Sequence, residues 1–84
     1  MIEYGTQWCQ PCSKLKEELT RRAIPFVFID VEDPKAMATP EGRHASEMPQ
    51  EMRRAIPATR VVRRDLRVEW VSGCDPDRVE RAYR

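Results

Sequence analysis

The chain has 84 residues, 40% of them hydrophobic and 35% charged, with a formal net charge of +1. That length makes one small domain, residues 1–84, with room for one sheet and two or three helices but no second lobe. The near-neutral balance gives no global case for nucleic acid or a membrane surface, and no stretch approaches the ~20 apolar residues of a spanning helix.

Residues 2–5 read as a short strand ending at Gly5, and residues 6–8 as a loop presenting Cys9. From Cys12 onward Leu15, Leu19 and Ala23 recur at spacings of four, with Lys14, Lys16, Glu17, Glu18, Arg21 and Arg22 mostly outside them. That is an amphipathic helix, ended by Ile24-Pro25. Phe26-Val27-Phe28-Ile29-Asp30-Val31 is a nearly continuous run of β-formers, the pattern of a strand covered on both faces. Residues 32–55 are broken by Pro34, Pro40, Gly42 and Pro49, with one short helix expected over 49–54, started by its proline. Residues 58–64 and 66–71 read as two strands joined tightly around Arg64-Asp65, a hairpin. Ser72-Gly73-Cys74 forms a turn. Asp75 then caps a last helix that has Pro76 at its first position and an apolar stripe of Val79, Ala82 and Tyr83. The order is β-α-β-α-β-β-α, an α/β domain without repeats or linker. Residues 1–52 carry 6 basic and 9 acidic side chains and residues 53–84 carry 9 and 5. The basic second half reads as a solvated arginine face, or as a surface that steers an acidic partner.

The chemistry concentrates in Trp8-Cys9-Gln10-Pro11-Cys12. Two cysteines two residues apart at the start of a helix form a dithiol where free N–H groups and the helix dipole favour a thiolate. The pKa of Cys9 is thereby drawn from about 8.5 toward neutrality. Cys12 lies one turn further in, placed to attack a mixed disulfide made by Cys9, so the pair is a reversible two-electron switch. Half of a zinc site is the competing reading. It needs two further ligands, and only Cys74 and His44 remain, neither in a ligand pair, so no metal is expected. Three cysteines are too few for a disulfide framework. With Met1-Ile2-Glu3-Tyr4 running straight into the motif and no export leader, a reducing cytoplasm is expected.

This order, with CxxC between the first strand and first helix, resembles the thioredoxin fold in its smallest form, the glutaredoxin and NrdH-redoxin group. Trp8-Cys9-Gln10-Pro11-Cys12 is similar to the thioredoxin motif with Gln in place of Gly. Ile56-Pro57 opens the third strand, where the family carries a cis-proline facing the dithiol. Ser72-Gly73-Cys74-Asp75-Pro76-Asp77 resembles both the Gly-Cys-Asp turn of glutaredoxins and the Ser-Gly-x-x-Pro-Asp turn of NrdH-redoxins. The resemblance spans almost the whole chain and is poorest over residues 32–48. It implies a three-layer α/β/α sandwich around a four-stranded mixed sheet. It also implies a monomeric dithiol–disulfide oxidoreductase with Cys9 and Cys12 catalytic and no bound cofactor.

The implied substrate groove takes in Trp8, Gln10 and Pro11 from the motif. It adds Ile56 and Pro57 from the third strand, and Gly73, Cys74 and Asp75 from the turn, with the Ile56 backbone pairing with the substrate chain. Trp8 is expected to pack and to wall the groove. Cys74 is expected to be a small buried turn residue, and His44 a surface histidine. Glu3 departs from the glutaredoxin pattern, which has an apolar residue there. Its spacing of six from Cys9 matches the buried aspartate of thioredoxins, a proton relay for the second cysteine. So near the terminus, however, the expected placement is a carboxylate reaching solvent at a frayed strand.

Two electron donors follow from the resemblance. Glutathione-using glutaredoxins carry a lysine three residues before the first cysteine, where this chain has Thr6, with Arg53 or Arg54 as the nearest substitutes. The CxPC and Ser-Gly-x-x-Pro-Asp patterns lean toward NrdH-redoxins, which are reduced by thioredoxin reductase and serve ribonucleotide reductase. A glutathione-dependent glutaredoxin, with glutathione as co-substrate, is the alternative. A non-catalytic metal- or cluster-binding or adaptor module on the same fold is the reading of another class.

Overall fold

The computed structural model describes all 84 residues. Strands β1 (Ile2–Gly5), β2 (Val27–Asp30), β3 (Ala58–Val62) and β4 (Val68–Ser72) form one sheet in the order β2-β1-β3-β4. β1 runs parallel to β2 and antiparallel to β3, and β3 runs antiparallel to β4. The α/β class and the mixed four-stranded sheet are as read from the sequence, and the arrangement is compatible with a thioredoxin-like fold.

Strand alternation assigns the two faces. One face carries Glu3, Gly5, Thr59, Val61 and Val71 and is covered by α1 (Gln10–Arg21) and α4 (Pro76–Tyr83). Leu15 and Leu19 of α1, Ile24, and Val79 and Ala82 of α4 complete the main core with Val61 and Val71. The other face carries Ile2, Tyr4 and Ile29, packed against Met37, Ala45, Met48 and Trp70. Arg22 ties α1 to α4 through Glu18, Asp77 and Glu80 at 2.9–3.0 Å.

Three expectations are corrected. The strand over 26–31 is not covered on both faces: β2 lies at the sheet edge and Val27 is 48% exposed. The hairpin turn is longer than a two-residue link. Arg63 N–H donates to Arg67 O (2.8 Å), Leu66 N–H to Arg63 O (2.9 Å), and Leu66 has φ +68°, so pairing stops at Val62 and resumes at Val68. The short helix expected over 49–54 is a 3-10 turn, Gln50–Met52. It is not alone in the 32–55 cover, which also holds α2 (Pro34–Met37), α3 (Pro40–Arg43) and a 3-10 turn, His44–Glu47. Each proline starts a turn, and the next interruption ends it before a longer helix can propagate.

Candidate functional site

Cys9 and Cys12 are joined in a disulfide, with Cα atoms 5.2 Å apart. Cys9 is the N-cap of α1: its backbone is extended, its carbonyl accepts the first helical bond from Ser13 N–H (3.1 Å), and its Sγ accepts Cys12 N–H (3.2 Å). A sulfur thus occupies the position that a serine or aspartate oxygen fills in most helices. Gln10 and Pro11 form the exposed first turn, and Pro11 lacks an N–H where the helix has no acceptor for one. Cys9 retains 5% exposure and Cys12 none.

Gly5 makes this packing possible, and the sequence reading missed its role. A Cβ on Gly5 would lie 2.5 Å from Cys12 Sγ and 3.1 Å from Cys12 Cβ. The helix start sits against bare backbone of β1. Tyr4 pairs with Ala58, so continuing the register by one residue sets Pro57 opposite Gly5, on the face that carries Cys12. The Ile56–Pro57 peptide is cis and Pro57 is buried, while Ile56 remains partly exposed. Gly73, at φ +77°, donates its N–H to Pro57 O at 2.8 Å. The Gly73 turn and the Pro57 segment are therefore one hydrogen-bonded unit beside the dithiol. Asp75 caps α4 through Arg78 N–H (3.2 Å).

Trp8 lies on the surface at 69% exposure, and its Nε1–H donates to Glu32 Oε1 at 3.0 Å. It does not pack in the core. Glu32 was absent from the sequence reading, although parallel pairing of Gly5 with Asp30 brings both strand ends to one end of the sheet. Cys74 is corrected from buried to exposed, because Gly73 in the left-handed region turns the chain outward ahead of the Asp75 cap. Partial desolvation holds its thiol pKa above the ordinary value. His44, half-exposed, pairs with Glu47 at 2.7 Å.

Glu3 overturns its expected placement. It is fully buried, because β1 has β2 and β3 on either side and α1 above, and two flanking strands leave no frayed edge. Neither carboxyl oxygen has a hydrogen-bond partner, nor has Oγ1 of Thr59, its direct cross-strand neighbour, or of Thr6. Burial pushes the Glu3 pKa up to about 8, against a smaller opposing pull from Lys16. Glu3 is one same-face position along β1 from Gly5, about 7 Å of strand, on the face that α1 covers. Thr59 could have been found by extending the alternation of Val61 backward along β3.

No group of three or more His, Cys, Asp or Glu side chains is arranged to hold a metal ion. No helix is long and apolar enough to cross a membrane. Comparisons with protein-family models, curated proteins and solved structures return no match for this chain.

Proposed function

We propose that the chain is a dithiol–disulfide oxidoreductase of NrdH-redoxin or glutaredoxin type, built on a thioredoxin-like fold. The observation that carries this reading is the Cys9–Cys12 disulfide with Cys9 Sγ as helix N-cap. When the pair is reduced, the same Cys12 N–H and the dipole of α1 stabilise a Cys9 thiolate. That thiolate attacks a substrate disulfide. One substrate sulfur leaves as a thiolate and is protonated, and the other stays bonded to Cys9. Cys12 then loses its proton and attacks Cys9 Sγ, which releases the second substrate thiolate and closes the Cys9–Cys12 bond. Two electrons have passed to the substrate.

Glu3 is assigned the proton step at Cys12. A carboxyl with a pKa near 8 is close to the ~8.5 of a free thiol, so transfer between them is nearly balanced in free energy. In this reading Trp8, Gln10, Pro11, Ile56, Pro57 and the Gly73–Asp75 turn frame the substrate.

The donor is proposed to be thioredoxin reductase, and the substrate a protein disulfide, with ribonucleotide reductase the family's example. Thr6 stands where a glutathione-binding lysine would, and its side chain is buried, so it offers nothing to a carboxylate. Glutathione as donor is the second reading, favoured by the exposed Arg54 two residues before Ile56. The test reduces one disulfide substrate in parallel with NADPH plus thioredoxin reductase and with glutathione plus its reductase. Faster turnover in the first arm supports the proposal. Faster turnover with glutathione, lost in Arg54→Ala, makes the protein a glutaredoxin, and no turnover in either arm rejects the oxidoreductase reading.

A further inference from the structure

The sheet face away from Cys12 holds an apolar cavity of about 180 Å³ that the chemistry above does not use. Tyr4, fully buried, is among its walls, with Met37, Ala45, Met48 and Ile56 as apolar lining and Arg53 as the sole charged residue. All of these except Tyr4 reach the surface in part, so the cavity opens outward. Tyr4 is held in place by its hydroxyl, which donates to Glu41 O at 2.5 Å. Arg53 is held by two carbonyls, Ser46 O at 3.1 Å and Met48 O at 3.4 Å, and not by a carboxylate.

Volume decides the class of occupant. The cavity is smaller than the ~300 Å³ at which pockets for whole small-molecule ligands begin, and similar to the ~150 Å³ apolar cavity that accepts benzene. It fits one leucine- or methionine-sized group. Burying one such group is worth roughly ten- to a hundredfold in affinity. That suffices to choose among chains already held elsewhere, and it holds a free peptide only weakly, within reach of an NMR titration. The second contact is adjacent: Ile56 is both cavity wall and the residue before Pro57, and residues 55–57 form the rim between this face and the dithiol face. Two methionines in the wall allow the cavity to adjust to different aliphatic shapes.

We infer that this cavity is a specificity pocket taking one aliphatic side chain of the protein whose disulfide is reduced, close in sequence to the attacked cysteine. The inference rests on the oxidoreductase reading. Arg53 matches a carboxylate on that same peptide, since a guanidinium keeps donors free after binding two carbonyls.

The test uses the full chain. In the disulfide form, labelled with nitrogen-15, it is titrated with two peptides lacking cysteine, Ac-Gly-Leu-Asp-Gly-NH2 and Ac-Gly-Gly-Asp-Gly-NH2. Amide shifts centred on Ala45, Met48 and Ile56 with the first peptide only are expected. The pre-reduced protein is then given bis(2-hydroxyethyl) disulfide and the disulfide dimers of Ac-Leu-Gly-Cys-Gly-Leu-NH2 and Ac-Gly-Gly-Cys-Gly-Gly-NH2. The leucine dimer is expected to react about tenfold faster than the glycine dimer, and Ala45→Phe, which fills the cavity, is expected to bring that ratio to about one. Equal rates for the two dimers overturn the inference, as does a ratio that survives Ala45→Phe. If bis(2-hydroxyethyl) disulfide is not reduced, the oxidoreductase reading falls, and the peptide shifts alone decide whether the cavity binds an aliphatic side chain.

Discussion

Glu3→Gln should make the protein more stable at neutral pH and no more stable in acid. The carboxyl is fully buried without a partner, and its pKa rises from 4.5 to about 8 on folding. Between those values the folded state holds a proton that the unfolded chain has lost, so stability falls as pH rises. The slope approaches about 1.4 kcal/mol per pH unit. From pH 4.5 this amounts to about 3 kcal/mol by neutrality and about 4 kcal/mol by pH 8, and it levels off only above that. Against the ~5–15 kcal/mol that holds a domain together, the effect is large. Glutamine has nearly the same shape and cannot ionise, so the difference between variant and wild type isolates this one group from all other titrations. Urea denaturation of both disulfide-form proteins at several pH values measures it. The expected result is coincident midpoints near pH 4 and a gap that widens through pH 8, with Glu3→Gln the more stable. A gap independent of pH would show instead that the Glu3 carboxyl ionises in the folded protein as it does in water.

Two glycines beside the site should respond for different reasons. Gly5→Ala forces a methyl against Cys12 Sγ, costing about 1–3 kcal/mol in urea denaturation and slowing disulfide reduction together. Gly73→Ala meets no atom within 4 Å, so its cost of about 1–2 kcal/mol comes only from the left-handed backbone. Arg22→Gln breaks the ties to Glu18, Asp77 and Glu80, and should lower the urea midpoint by an amount that shrinks as salt is added.

The motif and the elements with strong periodicity were legible from residues alone. Leu15 and Leu19 announce the buried stripe of α1, and Asp75-Pro76 announces the start of α4, because both signals are local. What was not legible depends on pairing between distant segments. The run 26–31 is apolar enough for a strand covered on both faces, yet at the sheet edge Val27 stays exposed. Glu3 looked like a terminal carboxylate until two flanking strands and α1 enclosed it. Gly5 carries no side chain to mark it, and its part in seating Cys12 shows only when the helix start is laid against β1. The 32–55 cover was opaque because its prolines cut it into turns too short for any periodicity to develop.

In the proposed exchange Cys9 attacks and Cys12 resolves. Cys12→Ser, reduced and mixed with a disulfide-bonded protein substrate, should accumulate a covalent complex through Cys9, seen by intact mass and lost on adding dithiothreitol. Cys9→Ser under the same conditions should accumulate none. Trapping by Cys9→Ser in place of Cys12→Ser would reverse the assignment, and trapping by neither would contradict thiol–disulfide exchange at this site.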